Sequence, residues 1–287
     1  MSQRILKTLF VAASFALTAA APSSAQEIDP VKIVRNAQQA FFYQGESFRA
    51  RVKMTLTSQA GSERLRELTM LRINTGPGGP SARPDKEVRS GLSMPKGGDQ
   101  RYFMYFHAPG DVRRMAFLVY KYPAREDDRW LFIPALNLVQ RIAAKDSQSS
   151  FVGSDFTYED VSGRDVEADE HKLLREEEHG GKPCYVIESV PKGSASYKRK
   201  LSWIDKTAWL PLKEEYYDVQ GQLFKEFAAE DIQQIDGLPT ITKRTMRNIK
   251  SGHQTVVEFS ETKYRLALKP EEFSERALRN PPRNWIK

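Results

Sequence analysis

The side chains best suited to chemistry lie in one short stretch of the sequence. It reads Gly153-Ser154-Asp155-Phe156-Thr157-Tyr158-Glu159-Asp160. Asp155, Glu159 and Asp160 offer carboxylate oxygens, which are ligands that Ca²⁺ prefers in proteins. Their spacing differs from that of an EF-hand loop, where acidic residues alternate around a central glycine. A metal site is therefore one interpretation of this stretch, and the spacing does not favour it.

A structural turn is the alternative interpretation, and we favour it. Either Ser154 or Asp155 suits the N-cap of a short helix, and acidic residues in a first helical turn are stabilised by the helix dipole. The aromatic residues Phe151, Phe156 and Tyr158 would then hold the turn against a neighbouring sheet. This interpretation predicts neither a metal nor a cofactor.

Catalytic motifs are not recognisable elsewhere in the sequence. The four histidines, His107, His171, His179 and His253, lack the H-x-x-x-H and H-E-x-x-H spacings of a metallohydrolase. The sequence also contains no G-x-S-x-G nucleophile elbow and no glycine-rich phosphate loop. We therefore expect a protein that is not an enzyme.

The N-terminal residues 1–25 have the features of a cleavable secretory signal peptide. Arg4 and Lys7 precede an apolar run that ends at Ala21, and small residues follow it. The apolar run is shorter than the roughly 20 residues that a helix needs to cross a bilayer. No cysteine follows the cleavage position, so the sequence offers no site for a lipid anchor there. These features predict a secreted protein that is cleaved before Gln26 and is not anchored in a membrane. Residues 26–287 are expected to form a single domain, because no Pro/Ser-rich linker divides them.

The charge of the chain argues against a nucleic-acid partner. The formal net charge is +7, but basic and acidic residues are interspersed, and no basic block forms the clustered face that nucleic-acid binding requires. The one cysteine, Cys184, has no partner for an internal disulfide. Stability must therefore come from packing. We also expect the protein to be a monomer.

A long alternation of apolar and polar residues dominates the secondary-structure pattern. Every second residue of Ser47–Thr57 is apolar, which predicts a strand with one buried and one solvated face. Similar runs continue to Tyr264 and predict about eleven strands in hairpin order. An amphipathic helix over Asp29–Gln44 precedes them, with Asp29 at its N-cap and Pro30 at its first position. A sheet of this size normally curls into a barrel or part of one.

The strands carry many large apolar residues at alternate positions. A barrel with this many strands has more interior than its own side chains fill, so it holds either helices or an apolar ligand. A tightly packed core uses the same residue types and is the alternative. The residues that we predict to line an apolar cavity are Val52, Met54, Tyr102, Met104, Phe106, Phe117, Val119, Trp130 and Phe132.

Two long runs of the sequence resemble the outer membrane lipoprotein-sorting proteins, a family of LolA-like proteins of the bacterial envelope. The first run, Arg114–Val161, contains W-L-F-I-P-A-L and G-S-D-F-T-Y-E-D, and the second is Cys184–Phe227. The resemblance implies an α+β, mostly β fold, which is an unclosed antiparallel β-barrel with helices that cover its concave face. The chain is considerably longer than LolA, and it lacks the lipid-modified cysteine of LolB.

The resemblance also implies a function. LolA-like proteins carry lipoproteins across the periplasm by sheltering acyl chains in an apolar cavity. We therefore expect a soluble carrier of lipid or acylated protein cargo toward the outer membrane. Related proteins often occur beside RND-type (MMPL-like) inner-membrane exporters, so a second hypothesis is a non-enzymatic adaptor of such an exporter that holds no cargo. A third hypothesis, an enzyme acting on envelope lipids, would need a nucleophile–base pair at the mouth of the cavity.

Overall fold

A computed structural model describes residues 29–76, 98–123 and 125–287, and the predicted signal peptide, residues 1–25, lies outside these ranges. The described residues contain thirteen strands, which is more than the number expected. The strands are β1 (Ser47–Thr57), β2 (Glu63–Asn74), β3 (Gln100–Ala108), β4 (Ala116–Lys121), β5 (Asp128–Ile133), β6 (Leu138–Ile142), β7 (Asp169–His179), β8 (Lys182–Pro191), β9 (Arg199–Asp205), β10 (Pro211–Tyr217), β11 (Leu223–Ile235), β12 (Leu238–Asn248) and β13 (His253–Tyr264). The helices are α1 (Pro30–Gln38), α2 (Tyr158–Ser162), α3 (Glu275–Arg279) and α4 (Arg283–Ile286).

The thirteen strands form one antiparallel sheet in the order β6-β5-β4-β3-β2-β1-β13-β12-β11-β10-β9-β8-β7. β6 and β7 occupy opposite edges of this sheet, so the barrel is unclosed, and the expected fold class is confirmed. The two edge strands are consecutive in the sequence. Residues 143–168, which join them, must therefore run from one edge of the sheet to the other, and we call these residues the crossover segment.

The register of the strands defines an inner and an outer face of the sheet. Residues directly opposite each other in neighbouring antiparallel strands share a face. Met104 lies opposite Met70 and Phe117, and these three residues define the inner face. Phe103 lies opposite Leu118 and points to the outer face.

The crossover segment covers the inner face of β3 and β4. Its residues Phe151 and Tyr158 are buried, and their ring centroids lie 5.3 and 5.2 Å from that of Phe117. Phe151 also packs against Phe106, at 6.0 Å between ring centroids. The aromatic side chains of the segment thus exclude water from this part of the sheet. Burial of the two apolar surfaces stabilises the folded state.

Helix α1 begins as the sequence predicts. Asp29 accepts a hydrogen bond from the Val31 N–H at 2.9 Å, and Pro30 occupies the first helical position. The helix continues through Gln39–Tyr43 as one wider, π-helical turn. The helical stretch therefore ends within one residue of the boundary expected for Asp29–Gln44.

Helix α1 lies over the inner face of the second half of the sheet. Ile33 and Ala37 are buried against Ile187 of β8 and Ile204 of β9. Helical residues cover this side of the sheet, as the fold class implies. They are α1 and the π-helical turn that follows it, residues 30–43, and we call them the helical cover. Within the described residues, no helix combines the length and apolar character needed to cross a membrane.

The outer face of β2–β5 is also apolar, and C-terminal residues cover it. Phe273 is fully buried in a cluster with Phe103, Leu118 and Leu278 of α3. The Tyr120 hydroxyl donates a hydrogen bond to the Phe273 carbonyl at 2.6 Å. Both faces of these strands are therefore dry.

Two of the nine predicted cavity residues, Trp130 and Phe132, lie on this outer face. Leu131 is opposite Phe117 and points inward, so its neighbours Trp130 and Phe132 point outward and join the outer cluster. The prediction was wrong because β5 has apolar residues at both odd and even positions. Alternation alone cannot distinguish the two faces of such a strand.

The packing of the crossover segment can be tested by truncating Phe151. We expect Phe151→Ala to lower the free energy of unfolding by about 3–5 kcal/mol, because it leaves a cavity between the segment and the sheet. Urea unfolding would measure the change. Leu136→Ala is a control, because Leu136 is 68% exposed and its truncation should cost less than about 0.5 kcal/mol. Equal effects of the two substitutions would show that the segment is not packed on the sheet.

Candidate functional site

Two cavities lie beneath the end of α1. The larger, of about 120 Å³, is lined by α1 and the π-helical turn, the crossover segment and strands β7–β12. The smaller, of about 50 Å³, extends over β1–β3, where Phe48 and Tyr102 form part of its wall. Phe41, Phe42 and Arg244 contribute to both cavities and therefore separate them.

Most of the predicted wall residues lie on the inner face, but only Tyr102 lines either of the two cavities. Tyr102 lines the smaller cavity, whereas Phe106 and Phe117 pack against the crossover segment. The seven that share the inner-face cluster and are at most 5% exposed are Val52, Met54, Tyr102, Met104, Phe106, Phe117 and Val119. Contact of these residues with a ligand stays a prediction.

The floor of the larger cavity is polar, and its charges are paired. Glu214 accepts hydrogen bonds from Lys200 Nζ (2.9 Å), from the Ser202 hydroxyl (2.9 Å) and from the Tyr216 hydroxyl (2.6 Å). Burial alone would lower the pKa of Lys200, but Glu214 outweighs it and holds that pKa above its ordinary value. Such full pairing is what allows charges to remain beneath a helix.

The carboxylates of the Gly153–Asp160 stretch also have protein partners. Asp155 Oδ2 accepts from His253 Nδ1 at 2.6 Å and from the Thr255 hydroxyl at 2.7 Å, which ties the turn to β13. Glu159 binds Arg164 at 3.0 Å. Among the described residues, no group of three or more His, Cys, Asp or Glu side chains is placed to hold a metal ion.

The N-cap of α2 differs from the one predicted. Thr157, and not Ser154 or Asp155, caps the helix, because its hydroxyl accepts from the Asp160 N–H at 3.0 Å. Asp160 Oδ2 in turn accepts from the Thr157 N–H (2.8 Å) and from Lys225 Nζ of β11 (2.8 Å). The Ser154 hydroxyl instead donates to the Phe151 carbonyl within the preceding turn, at 2.7 Å. The capping box therefore also fastens the crossover segment to the far half of the sheet.

Arg72 holds the C-terminal end of the helical cover. This β2 residue is buried and donates hydrogen bonds to the carbonyls of Phe42 and Gln44. Gln100 Nε2 donates to the same Phe42 carbonyl at 2.9 Å, and Asn74 Nδ2 donates to the Tyr43 carbonyl at 2.9 Å. A cation and amide donors at a helix C-terminus satisfy carbonyls that lack intrahelical partners.

A histidine and a serine pair at the wall of the larger cavity, and sequence inspection missed them. His171 Nδ1 lies 2.9 Å from the Ser189 hydroxyl, and its Nε2 lies 2.9 Å from the Val166 carbonyl. The carbonyl can only accept, so Nε2 carries the proton and Nδ1 accepts from Ser189. Burial lowers the pKa of His171, which keeps the ring neutral. The signal was invisible because the two residues belong to different strands, 18 positions apart.

The His171–Ser189 pair is not arranged for acyl transfer. Ser189 lies inside β8, opposite His171 of β7 and Lys200 of β9. The backbone N–H groups around it belong to the sheet ladder, so they cannot form the oxyanion hole that such chemistry requires. The pair satisfies the buried Ser189 hydroxyl and a half-buried imidazole.

Solved structures and a family model assign the chain to a family. A model of a family of uncharacterized proteins matches residues 98–280. The crystal structure of a DUF1329 family protein from Desulfovibrio piger aligns with 88% of this chain and 100% of that protein's chain, at 27% sequence identity and a TM-score of 0.74. A Vibrio parahaemolyticus domain named for outer membrane lipoprotein sorting aligns with 87% of this chain and 98% of its own chain, at 25% identity and a TM-score of 0.74.

The chain belongs to the family of that model. A LolA superfamily protein from Nitrosomonas europaea has the same fold, with 22% identity, coverage of 87% and 99%, and a TM-score of 0.63. No curated protein sequence matches the chain. The expected family is therefore confirmed, and its LolA-like fold is one in which a covered inner face surrounds cavities.

The Lys225–Asp160 ion pair can be tested by removing the lysine. Both side chains are largely buried, at 5% and 17% exposed, so Lys225→Met leaves a carboxylate without its partner and should cost about 3–5 kcal/mol of unfolding free energy at pH 7. Burial would raise the pKa of Asp160, but Lys225 and Thr157 outweigh it and hold that pKa below its ordinary value. A depressed carboxyl pKa contributes stability above the unfolded pKa, and that contribution is lost as pH falls through the folded pKa.

The difference in unfolding free energy between the wild type and Lys225→Met should therefore become smaller below about pH 4. Chemical unfolding at several pH values would measure it. Lys243→Met is a matched control, because Lys243 of β12 binds Glu230 of β11 in an exposed pair. This substitution should cost less than about 1 kcal/mol. The pairing is refuted if the two lysine substitutions have the same effect at pH 7.

Proposed function

We propose that this protein carries a lipid or lipid-modified cargo in its interior across the periplasm, toward the outer membrane. The observation that supports this most is the partition of the interior. The larger and smaller cavities are separated by Phe41, Phe42 and Arg244, and the two phenylalanines belong to the helical cover. Displacement of that cover would merge the two spaces into one groove that opens to solvent.

The size of the cavities implies that the cover must move for binding. Ligand sites usually have volumes of about 300–1,000 Å³, and cavities of about 120 and 50 Å³ are smaller. An acyl chain of about fourteen carbons would contribute on the order of 10 kcal/mol on burial, at roughly 0.8 kcal/mol per CH2, before the cost of ordering it. Such binding is strong enough that release requires a partner that displaces the cover or competes for the chain.

The contacts of α1 suit a cover that moves as a unit. Its C-terminal end is held by hydrogen bonds from Arg72, and Gln38 Nε2 donates to the Arg164 carbonyl of the crossover segment at 2.6 Å. Arg35 binds Glu167 at 2.8 Å in an exposed pair. These contacts can be exchanged for water, whereas the sheet below them keeps its own ladder intact.

The location and partners belong to the same proposal. The predicted signal peptide and the relative named for outer membrane lipoprotein sorting support a soluble periplasmic protein. The cargo would be a lipid or an acylated protein, and we propose no enzymatic step.

The competing candidate is an adaptor of an RND/MMPL-type exporter that holds no cargo. The small volume of the two cavities favours the adaptor, and the amount of bound lipid distinguishes it from a carrier.

Purification from the periplasm without detergent, followed by native mass spectrometry and solvent extraction, tests the carrier proposal. We expect stoichiometric lipid or acylated peptide on the wild-type protein. Met246→Trp should lower the occupancy, because Met246 lines the larger cavity and tryptophan fills more of it. Met246→Leu is the control that keeps the residue apolar and similar in volume. Wild-type protein at its bare mass, with no uptake from liposomes, would support the adaptor instead.

Movement of the cover can be tested through Arg72. Arg72→Met removes the donors to the Phe42 and Gln44 carbonyls, so hydrogen exchange in residues 39–44 should become roughly tenfold faster or more. Uptake of lipid from liposomes should accelerate in parallel. Arg51→Met is the control, because Arg51 donates to Thr69 on the outer face. Unchanged exchange at the end of α1 in the Arg72 variant would contradict the role of this arginine.

A further inference from the structure

Arg244 lies on the inner face of the sheet, where the two cavities meet. On β12 it is opposite Val257 of β13, which is in turn opposite Met54 of β1, so the three residues share the inner face. Arg244 lines both the larger and the smaller cavity. Any molecule that occupied the merged space would therefore contact its guanidinium group.

The immediate surroundings of this guanidinium are aromatic. Its central carbon lies 4.8 Å from the ring centroid of Phe259, 5.2 Å from that of Phe41 and 5.5 Å from that of Phe156. These rings come from β13, from the helical cover and from the crossover segment. Cation–π attraction holds the group in place, but rings supply no hydrogen-bond acceptor that matches its planar N–H donors.

The guanidinium of Arg244 makes no direct ion pair among the described residues, and Asp160, which lines the same cavity, attracts it only through space. The Arg244 Nε is buried without a hydrogen-bond partner. Two lysines of neighbouring strands differ in this respect, since Lys200 binds Glu214 at 2.9 Å and Lys225 binds Asp160 at 2.8 Å. Arg72, which lines the smaller cavity, also forms no ion pair among the described residues, but its donors reach two backbone carbonyls. Burial lowers the pKa of Arg244 to about 10, so the group is still protonated at neutral pH.

A partly buried cation without an ion-pair partner is unfavourable for stability unless a ligand completes it. We propose that Arg244 binds the acidic head group of an acyl cargo, as an oxyanion that is either a carboxylate or a phosphate. A planar guanidinium can form a pair of parallel hydrogen bonds to either of these oxyanions. This inference rests on the proposed carrier function and narrows its cargo to anionic amphiphiles.

The two cavities would then receive the two ends of the cargo. The smaller cavity presents apolar side chains from Phe48, Met70 and Ile241 on the far side of Arg244, which suits the start of an acyl chain. The larger cavity has the polar floor of Glu214, Lys200 and Ser202, which suits the rest of a head group. Arg244 lies at the boundary between the two environments.

A matched series of ligands tests the inference on the wild-type protein. Dodecanoate, dodecyl phosphate and dodecanol share one chain length and differ in the head group. Dissociation constants measured below the micelle threshold should be roughly ten- to a hundredfold lower for at least one of the two anions than for dodecanol, since hydrogen bonds between charged groups account for a difference of that size. The preferred anion identifies the head group as a carboxylate or a phosphate.

Variants then assign the preference to this residue. Arg244→Met should weaken binding of the preferred anion by the same roughly ten- to a hundredfold and leave dodecanol unchanged, whereas Arg244→Lys should retain part of the preference because it keeps the charge. Arg247→Met is the matched control, because Arg247 is an exposed arginine of the same strand. Urea unfolding of each variant confirms that it is folded.

The outcomes distinguish this inference from the proposed function. If dodecanol and both anions bind with equal affinity, and Arg244→Met leaves that affinity unchanged, the role of Arg244 is overturned and the carrier proposal stands. Failure of all three to bind the wild-type protein overturns the carrier proposal itself. Inorganic phosphate that binds as tightly as dodecyl phosphate would show that the site takes a free oxyanion, and this would also overturn the assignment to a lipid head group.

Discussion

The structure depends on one topological constraint, which is that consecutive strands lie at opposite edges of the sheet. Residues 143–168 must cross the inner face to connect β6 with β7. A chain that crosses a covered face has to satisfy its own polar groups and bury its own apolar ones. The Gly153–Asp160 stretch does both, because its aromatic side chains pack on β3 and β4 while its carboxylates reach β13 and β11. Side chains that resemble a metal site in the sequence are thus anchors of this crossing.

The crossing also divides the interior into two environments. Over β3 and β4 the inner face is apolar and filled by the crossover segment, whereas the larger cavity near the end of α1 has a polar floor. The polar half is stable because segments distant in sequence bring countercharges together, as Lys225 and Asp160 do. Arg244 stands at the boundary with aromatic rings as neighbours. An interior built in this way has a place for an apolar chain beside a place for a charged group.

Local rules predicted the elements, and long-range packing decided what they face. The alternation in Ser47–Thr57 and the Asp29–Pro30 start of α1 were both recoverable from the sequence, because each depends on neighbouring residues. The outward position of Trp130 was not recoverable, since it depends on C-terminal residues that make the outer face dry. The larger cavity was missed for the same reason. Its walls come from α1, the crossover segment and polar residues of β7–β12, and no local pattern marks a polar inner face.

The open edges of the sheet have a mechanical consequence. In a closed barrel the strand number and shear set the diameter, so a wider interior requires broken ladder hydrogen bonds. Here β6 and β7 do not pair, and the sheet can flatten or coil through small changes of twist between neighbouring strands while every inter-strand hydrogen bond is kept. The span of the crossover segment limits how far the edges can separate. Elastic deformation of the sheet, restrained by one tether, would thus let the same ladder of strands enclose contents of different width.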